Sequence, residues 1–205
     1  MKMTDNKEIE PKTGETGLSQ LGFFFDQTRC TGCYACVVAC KDWHDVPPGP
    51  ASWLRVSTII RGKYPNPFLA FRVNFCYHCV NAPCVAACPA GAISKRGEDG
   101  IVVVDRDKCV GQDECGHPCS LECPYNAPQF GAEDNPKMQK CDFCLEEWVQ
   151  GKQPICVRSC TMRALDAGPI EELRAKYGDV REAEGFPYYE ESGPAIIFRP
   201  KACGG

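Results

Sequence analysis

The chain has 205 residues, 43% of them hydrophobic, which is enough to bury a core, and no apolar run approaches the length that a bilayer-spanning helix needs. The formal net charge of −4 counts every cysteine as neutral, so metal held by thiolates would make the molecule more negative still and excludes a nucleic-acid partner. Seventeen cysteines are far above ordinary usage for such a length and decide the rest of the reading.

Residues 1–20, MKMTDNKEIEPKTGETGLSQ, mix charge, Gly and Thr with little apolar content and are expected to form a disordered tail. Neither an Arg-Arg pair nor an apolar segment follows the start. Synthesis and cofactor loading are therefore expected in the cytoplasm, with a final place in the cytoplasm, at a membrane, or across it on a signal-bearing partner. Gly22 to Asp26, GFFFD, reads as a strand feeding the first cysteine group. Leu54 to Ile60 and Phe68 to Phe75 read as two more strands, split by RGKYPNP, whose prolines and Gly62 mark a turn; this hairpin would bridge one cysteine unit to the next. Ile101 to Asp105 is the strand before the third group. Short helices are expected after the third cysteine of each group, as at Val37 to His44 and Leu121 to Cys123, to aim the fourth thiol. IEELRAKYG after Gly168 reads as one amphipathic helix, with Pro169 near its first turn and Gly178 past its end. Ala195 to Phe198 completes the strands. The expected class is α+β, with a strand, a cysteine loop and a short helix recurring.

Sixteen cysteines fall into four groups of four. The first, Cys30, Cys33, Cys36 and Cys40, has the Cys-x2-Cys-x2-Cys-x3-Cys run of two-cluster ferredoxins. The second is Cys76, Cys79, Cys84 and Cys88, the third Cys109, Cys115, Cys119 and Cys123, and the fourth Cys141, Cys144, Cys156 and Cys160. In such a run three thiolates wrap one cluster and the fourth reaches the other cluster of a pair, so groups must pair. Two ferredoxin-like units, one inserted in the other, give an outer unit of residues 21–62 and 135–205 and an inserted unit of 63–134. Four [4Fe–4S] clusters then follow: Cys30, Cys33, Cys36 with Cys160; Cys141, Cys144, Cys156 with Cys40; Cys76, Cys79, Cys84 with Cys123; and Cys109, Cys115, Cys119 with Cys88. Zinc fits less well, because its ligands arrive as separated pairs, and disulfides belong to oxidising compartments and to chains too small for a core.

The stretches GFFFDQTRCTGCYACVVACKDW, FCYHCVNAPCVAACPAGAISKRGEDGIVVVDRDKC, CPYNAP, and KCDFC with GKQPICVRSCTMRALDAGPIEELRAKYG resemble the iron–sulfur subunit of dimethyl sulfoxide reductase and its relatives in the molybdopterin oxidoreductase complexes. The resemblance implies four clusters in a line, a large catalytic partner with a molybdenum or tungsten pterin, and a quinone-linked membrane subunit at the far end. It places the cluster of Cys30, Cys33 and Cys36 nearest the catalytic partner. The third group departs from the family's Cys-x2-Cys-x2-Cys-x3-Cys-Pro: here Gln112 falls where the second cysteine would, which keeps a [3Fe–4S] cluster as the alternative there. The chain stops at KACGG, where some formate dehydrogenase relatives continue into a membrane helix, so membrane contact is expected to need another subunit.

Cations beside ligands would stabilise a more negative reduced cluster, which singles out Arg29, Lys41, Lys108, Lys140 and Arg158, with solvated surface charge as the plainer reading. His44, His78 and His117 are read as hydrogen-bonding or surface groups rather than iron ligands, Trp43, Trp53 and Trp148 as cover, and Cys203 as a free thiol. With no nucleotide loop and no activated nucleophile, the chain is expected to carry electrons and to catalyse nothing alone. A free-standing polyferredoxin and a zinc module are the alternatives.

Overall fold

The computed structural model describes residues 20–202; residues 1–19 of the tail expected at 1–20, and Cys203, lie outside them, while Gln20 donates to the Leu21 and His78 carbonyls and belongs to the fold. Strand β1 (Leu21–Asp26) is buried along its whole length because both of its faces are covered. Its alternation sends Phe23 and Phe25 to one side and Phe24 to the other. Phe24 stacks on Tyr177 at 3.7 Å under helix α7 (Ile170–Tyr177), whose Ile170 and Leu173 close that side. β1 pairs antiparallel with β6 (Leu165–Pro169) and parallel with β7 (Ile196–Arg199) in a sheet ordered β6-β1-β7.

On the opposite side, Phe23 meets Phe75 edge-on at 4.5 Å and Phe143 at 4.6 Å. One ring thus ties the strand before the first cysteine group to the residue that opens onto the second and to one inside the fourth. Burying each such ring is worth about 2 kcal/mol, so the core is built around the cysteine loops, with Cys36, Cys40, Cys79 and Cys156 among its members. Asp26 ends β1, accepts bonds from the Thr28 amide and hydroxyl and an ion pair from Arg199, and so turns the chain into the first loop.

β2 (Arg55–Arg61) and β3 (Phe68–Asn74) form a separate antiparallel hairpin in register from Arg55 with Asn74 to Arg61 with Phe68. β3 runs directly into Cys76, and Arg55 donates to the Asn126 carbonyl at 2.6 Å, so the hairpin touches loops of the second and third groups. A third pair, β4 (Ile93–Lys95) with β5 (Val102–Val104), joins the end of the second group to the start of the third. The helices are short: α1 (Ala35–Trp43), α2 (Pro83–Ala87), α3 (Gln112–Cys115), α4 (Pro118–Leu121), α5 (Leu145–Trp148) and α6 (Ile155–Arg158).

Strands β1, β2, β3, β5 and β7 fall within a residue or two of expectation. Helix α7 also ends as expected, with Pro169 at its entry as the N-cap and Gly178 just past its end at φ 89. One detail differs. The third-group helix covers Pro118–Leu121 and stops before Cys123, because the proline sets its first turn.

Candidate metal centres

All four cysteine groups use one backbone device. Two residues after the first cysteine the chain takes a positive φ: Gly32 at 67, His78 at 46, Gly111 at 98 and Phe143 at 67. Glycine adopts this freely and also avoids collision, since a Cβ at Gly32 would overlap the Phe71 ring and one at Gly111 the Asn135 amide. His78 and Phe143 are held there by complete burial. A helix then begins one residue before each third cysteine, at Ala35, Pro83, Pro118 and Ile155, and each fourth cysteine follows the third by four residues. α1 packs on α6 and α2 on α4.

Three cysteine quartets each gather around one small cavity. Cys30, Cys33, Cys36 and Cys160 line the first with Phe25, Val56 and Leu165. Cys76, Cys79, Cys84 and Cys123 line the second, and Cys88, Cys109, Cys115 and Cys119 the third. In the remaining quartet burial raises the pKa of the Cys141, Cys40 and Cys156 thiols, and their neighbours add to it: Cys40 and Cys156 on Cys141, and Cys144 on Cys40 and Cys156. Successive quartets are joined by packing: α1, with Cys36, lies on α6, with Cys156; His78 lies 3.8 Å from Cys141 Sγ and 3.9 Å from Cys76 Sγ; and α2, with Cys84, lies on α4, with Cys119. The order of neighbours runs from the Cys30 quartet through the Cys141 and Cys76 quartets to the Cys109 quartet.

The donor set fits an iron–sulfur core. Burial foremost, with a contribution from neighbouring thiols, pushes the thiols of Cys36, Cys40, Cys79 and Cys84 up to about 12. Four such thiols ionise together only around a positive core, whose binding releases their protons. Main-chain amides already point at the sulfurs: Ala92 to Cys88 at 3.3 Å, Ala127 to Cys123 at 3.4 Å, Met138 to Cys109 at 3.4 Å, Ile155 to Cys144 at 3.4 Å and Ala164 to Cys160 at 3.2 Å. Structural zinc takes its thiols as separated pairs, whereas each quartet here joins three thiols of one cysteine group to the last thiol of another.

In the third group Gln112 occupies the position of the second cysteine, but the residue lining the cavity is Cys115, not Gln112. The one-turn helix α3 intervenes, and Cys115 donates to the Gly111 carbonyl at 3.1 Å. The extra residues are thus taken up as one helical turn that returns a thiol to the same hole.

The five cations separate by burial. Lys140 is 3% exposed and donates to the carbonyls of Val102 and Cys141; among the described residues it pairs with no carboxylate. Lys41 donates to the Ala51 carbonyl, Lys108 pairs with Asp105, Arg158 pairs with Glu147, and Arg29 is exposed. Lys95 went unnoticed in the sequence, where it sits in a charged run; its ammonium donates to Gln20 and to the Cys79 and Gly100 carbonyls. His44 Nε2 lies 3.2 Å from Cys144 Sγ with its ring against Trp53, and His117 packs edge-on against Phe130. His78 is fully buried, and desolvation, helped by Lys140 and Lys95, holds its pKa well below the ordinary histidine range.

A 4Fe-4S dicluster domain model matches residues 68–170 and a 4Fe-4S binding domain model matches 21–42. The chain is 43% identical over 192 residues to the B component of the anaerobic dimethyl sulfoxide reductase of Escherichia coli (strain K12), covering 90% of each. It is 42% identical over 190 residues to the thiosulfate reductase electron transfer subunit of Salmonella typhi, covering 89% of this chain and 93% of that one. It is 32% identical over 207 residues to the B component of the sulfite dehydrogenase of Allochromatium vinosum, covering 90% and 84%.

Proposed function

This chain belongs to the family of iron–sulfur electron-transfer subunits that includes the B component of dimethyl sulfoxide reductase, and from that premise we propose that it relays electrons through four [4Fe–4S] centres between a large molybdenum or tungsten pterin subunit and a quinone-linked partner. The observation that carries this reading is the line of four cysteine quartets. The ligand sets are Cys30, Cys33, Cys36 and Cys160 for the first centre; Cys40, Cys141, Cys144 and Cys156 for the second; Cys76, Cys79, Cys84 and Cys123 for the third; and Cys88, Cys109, Cys115 and Cys119 for the fourth. Each centre, when bound, supplies one-electron transfer.

The chain's own residues set the conditions. Apolar side chains around each quartet exclude water, amides aimed at sulfur stabilise the more negative reduced form, and Lys140 adds a buried positive charge between the second and third centres. The antiparallel pairing of β1 with β6, and of β4 with β5, supports an inner ferredoxin-like unit inserted in an outer one, with the β2–β3 hairpin as the connection. The first centre is assigned to the catalytic side: Cys33 is exposed, and Tyr34, Val38 and Met162 expose apolar surface near it at 46%, 66% and 39%. No helix among the described residues is long and apolar enough to cross a membrane, and the quinone-linked partner is proposed as a separate subunit. Function at the membrane, on either side of it, follows from where that assembly sits.

Anaerobic purification tests the reading. About sixteen irons per chain, matching labile sulfide, and co-elution with a pterin subunit are expected. A strong three-iron EPR signal in the intact oxidised protein would refute the fourth ligand set.

A further inference from the structure

His78 stands between a thiol of the second quartet and one of the third. Its Nε2 lies 3.8 Å from Cys141 Sγ and its Nδ1 3.9 Å from Cys76 Sγ. These two contacts are not equivalent, because the Val102 amide donates to Nδ1 at 3.0 Å. A ring nitrogen that accepts a hydrogen bond carries no proton, so the proton sits on Nε2, facing Cys141. Cys76 receives nothing from the ring.

The ring is also fixed in place. It lies edge-on to Phe143 at 5.6 Å and tilted against Phe23 at 6.3 Å, with no exposure to solvent. Val102, which fixes the tautomer through its amide, accepts from the Lys140 ammonium through its carbonyl. The main chain of His78 is the left-handed residue between Cys76 and Cys79, at φ 46.

We propose that His78 links the two cluster pairs, its Nε2–H bonding the Cys141 thiolate of the second centre while its backbone forms the loop that holds the third. The proposal rests on the ligand sets given under Proposed function. Two consequences follow. The N–H···S bond stabilises the reduced second centre and raises its potential. The residue also gives a route of one hydrogen bond followed only by covalent bonds, from a thiolate of the second centre to Cys79, its neighbour in the chain, and Cys76. One electron crosses, one centre is oxidised as the other is reduced, and the proton stays on Nε2. His44 cannot do the same: it meets Cys144, also of the second quartet, and its backbone lies four residues after Cys40 of that same quartet.

The experiment uses the complex with its catalytic partner, prepared anaerobically, with iron and sulfide content measured first and each midpoint then followed by EPR. In His78→Phe, which keeps an aromatic ring and removes the donor, full iron, one lowered midpoint and slower electron passage between the pairs are expected. His78→Gln, which restores an N–H, should recover part of both effects. Full iron with all midpoints unchanged in His78→Phe overturns the proposal. If that variant loads no iron, the chain's 3 histidines allow a second measurement. With this chain alone labelled with ¹⁵N-histidine and carrying His44→Gln and His117→Gln before assembly with the unlabelled partner, His78 is its one labelled histidine: a ¹⁵N hyperfine coupling on a reduced centre supports the link, and its absence refutes it. Fewer than four clusters in the unsubstituted protein would instead refute the ligand sets.

Discussion

Replacing Lys140 by Met keeps the length of the side chain and deletes its charge, which should lower the potential of the third centre. Lys140 is 3% exposed and its ammonium donates to main-chain carbonyls, at 3.0 Å to that of Cys141. The side chain also lines the cavity of the Cys76 quartet, and its charge favours the thiolate forms of Cys84 and Cys123. At an effective dielectric of about 20 and a separation of about 6 Å, a unit charge is worth about 3 kcal/mol. For one electron that is on the order of 100 mV. If water screened the site fully, the same charge would give about 30 mV. The sign follows from reduction adding negative charge: removing the cation destabilises the reduced form, so the midpoint falls. A potentiometric EPR titration of the anaerobic complex measures it, with Lys140→Arg retaining the charge and most of the potential. Full iron content with every midpoint within about 20 mV of the unsubstituted protein would refute the argument.

Cys115→Ser should convert the fourth centre to a three-iron cluster visible in the oxidised EPR spectrum, while Gln112→Ala leaves iron content unchanged; the reverse pattern would show that the α3 turn does not deliver the ligand. Gly32→Ala places a Cβ against the Phe71 ring at φ 67, and strain of about 1–3 kcal/mol should deplete the first centre before the others, read as iron loss and a missing EPR component. Val38→Glu puts charge on a side chain that is 66% exposed beside the first centre; iron content should be retained and co-elution with the catalytic subunit should weaken, whereas unchanged co-elution would move the docking face elsewhere.

Residue identity made the thiols legible, since a cysteine at ligand spacing has few other uses, and apolar runs such as GFFFD announced the strands that lead into them. Backbone shape was far less legible. β6, Leu165–Pro169, contains Gly168 and Pro169 and is not among the expected strands; its antiparallel pairing with β1 holds it as one. The positive-φ residue after each first cysteine shows the same limit. Gly32 and Gly111 advertise it, but His78 and Phe143 do not, because in those two loops packing imposes a conformation that local preference disfavours. Phe143 and His78 are completely buried and face each other edge-on at 5.6 Å, at the contact between the second and third quartets. The chain thus spends backbone strain where glycine would have served the turn as well, and what it gains is side chains: a ring for the core from Phe143, and from His78 an N–H directed at a sulfur. Local rules fail at these two positions because each must satisfy a loop and an inter-centre contact at once.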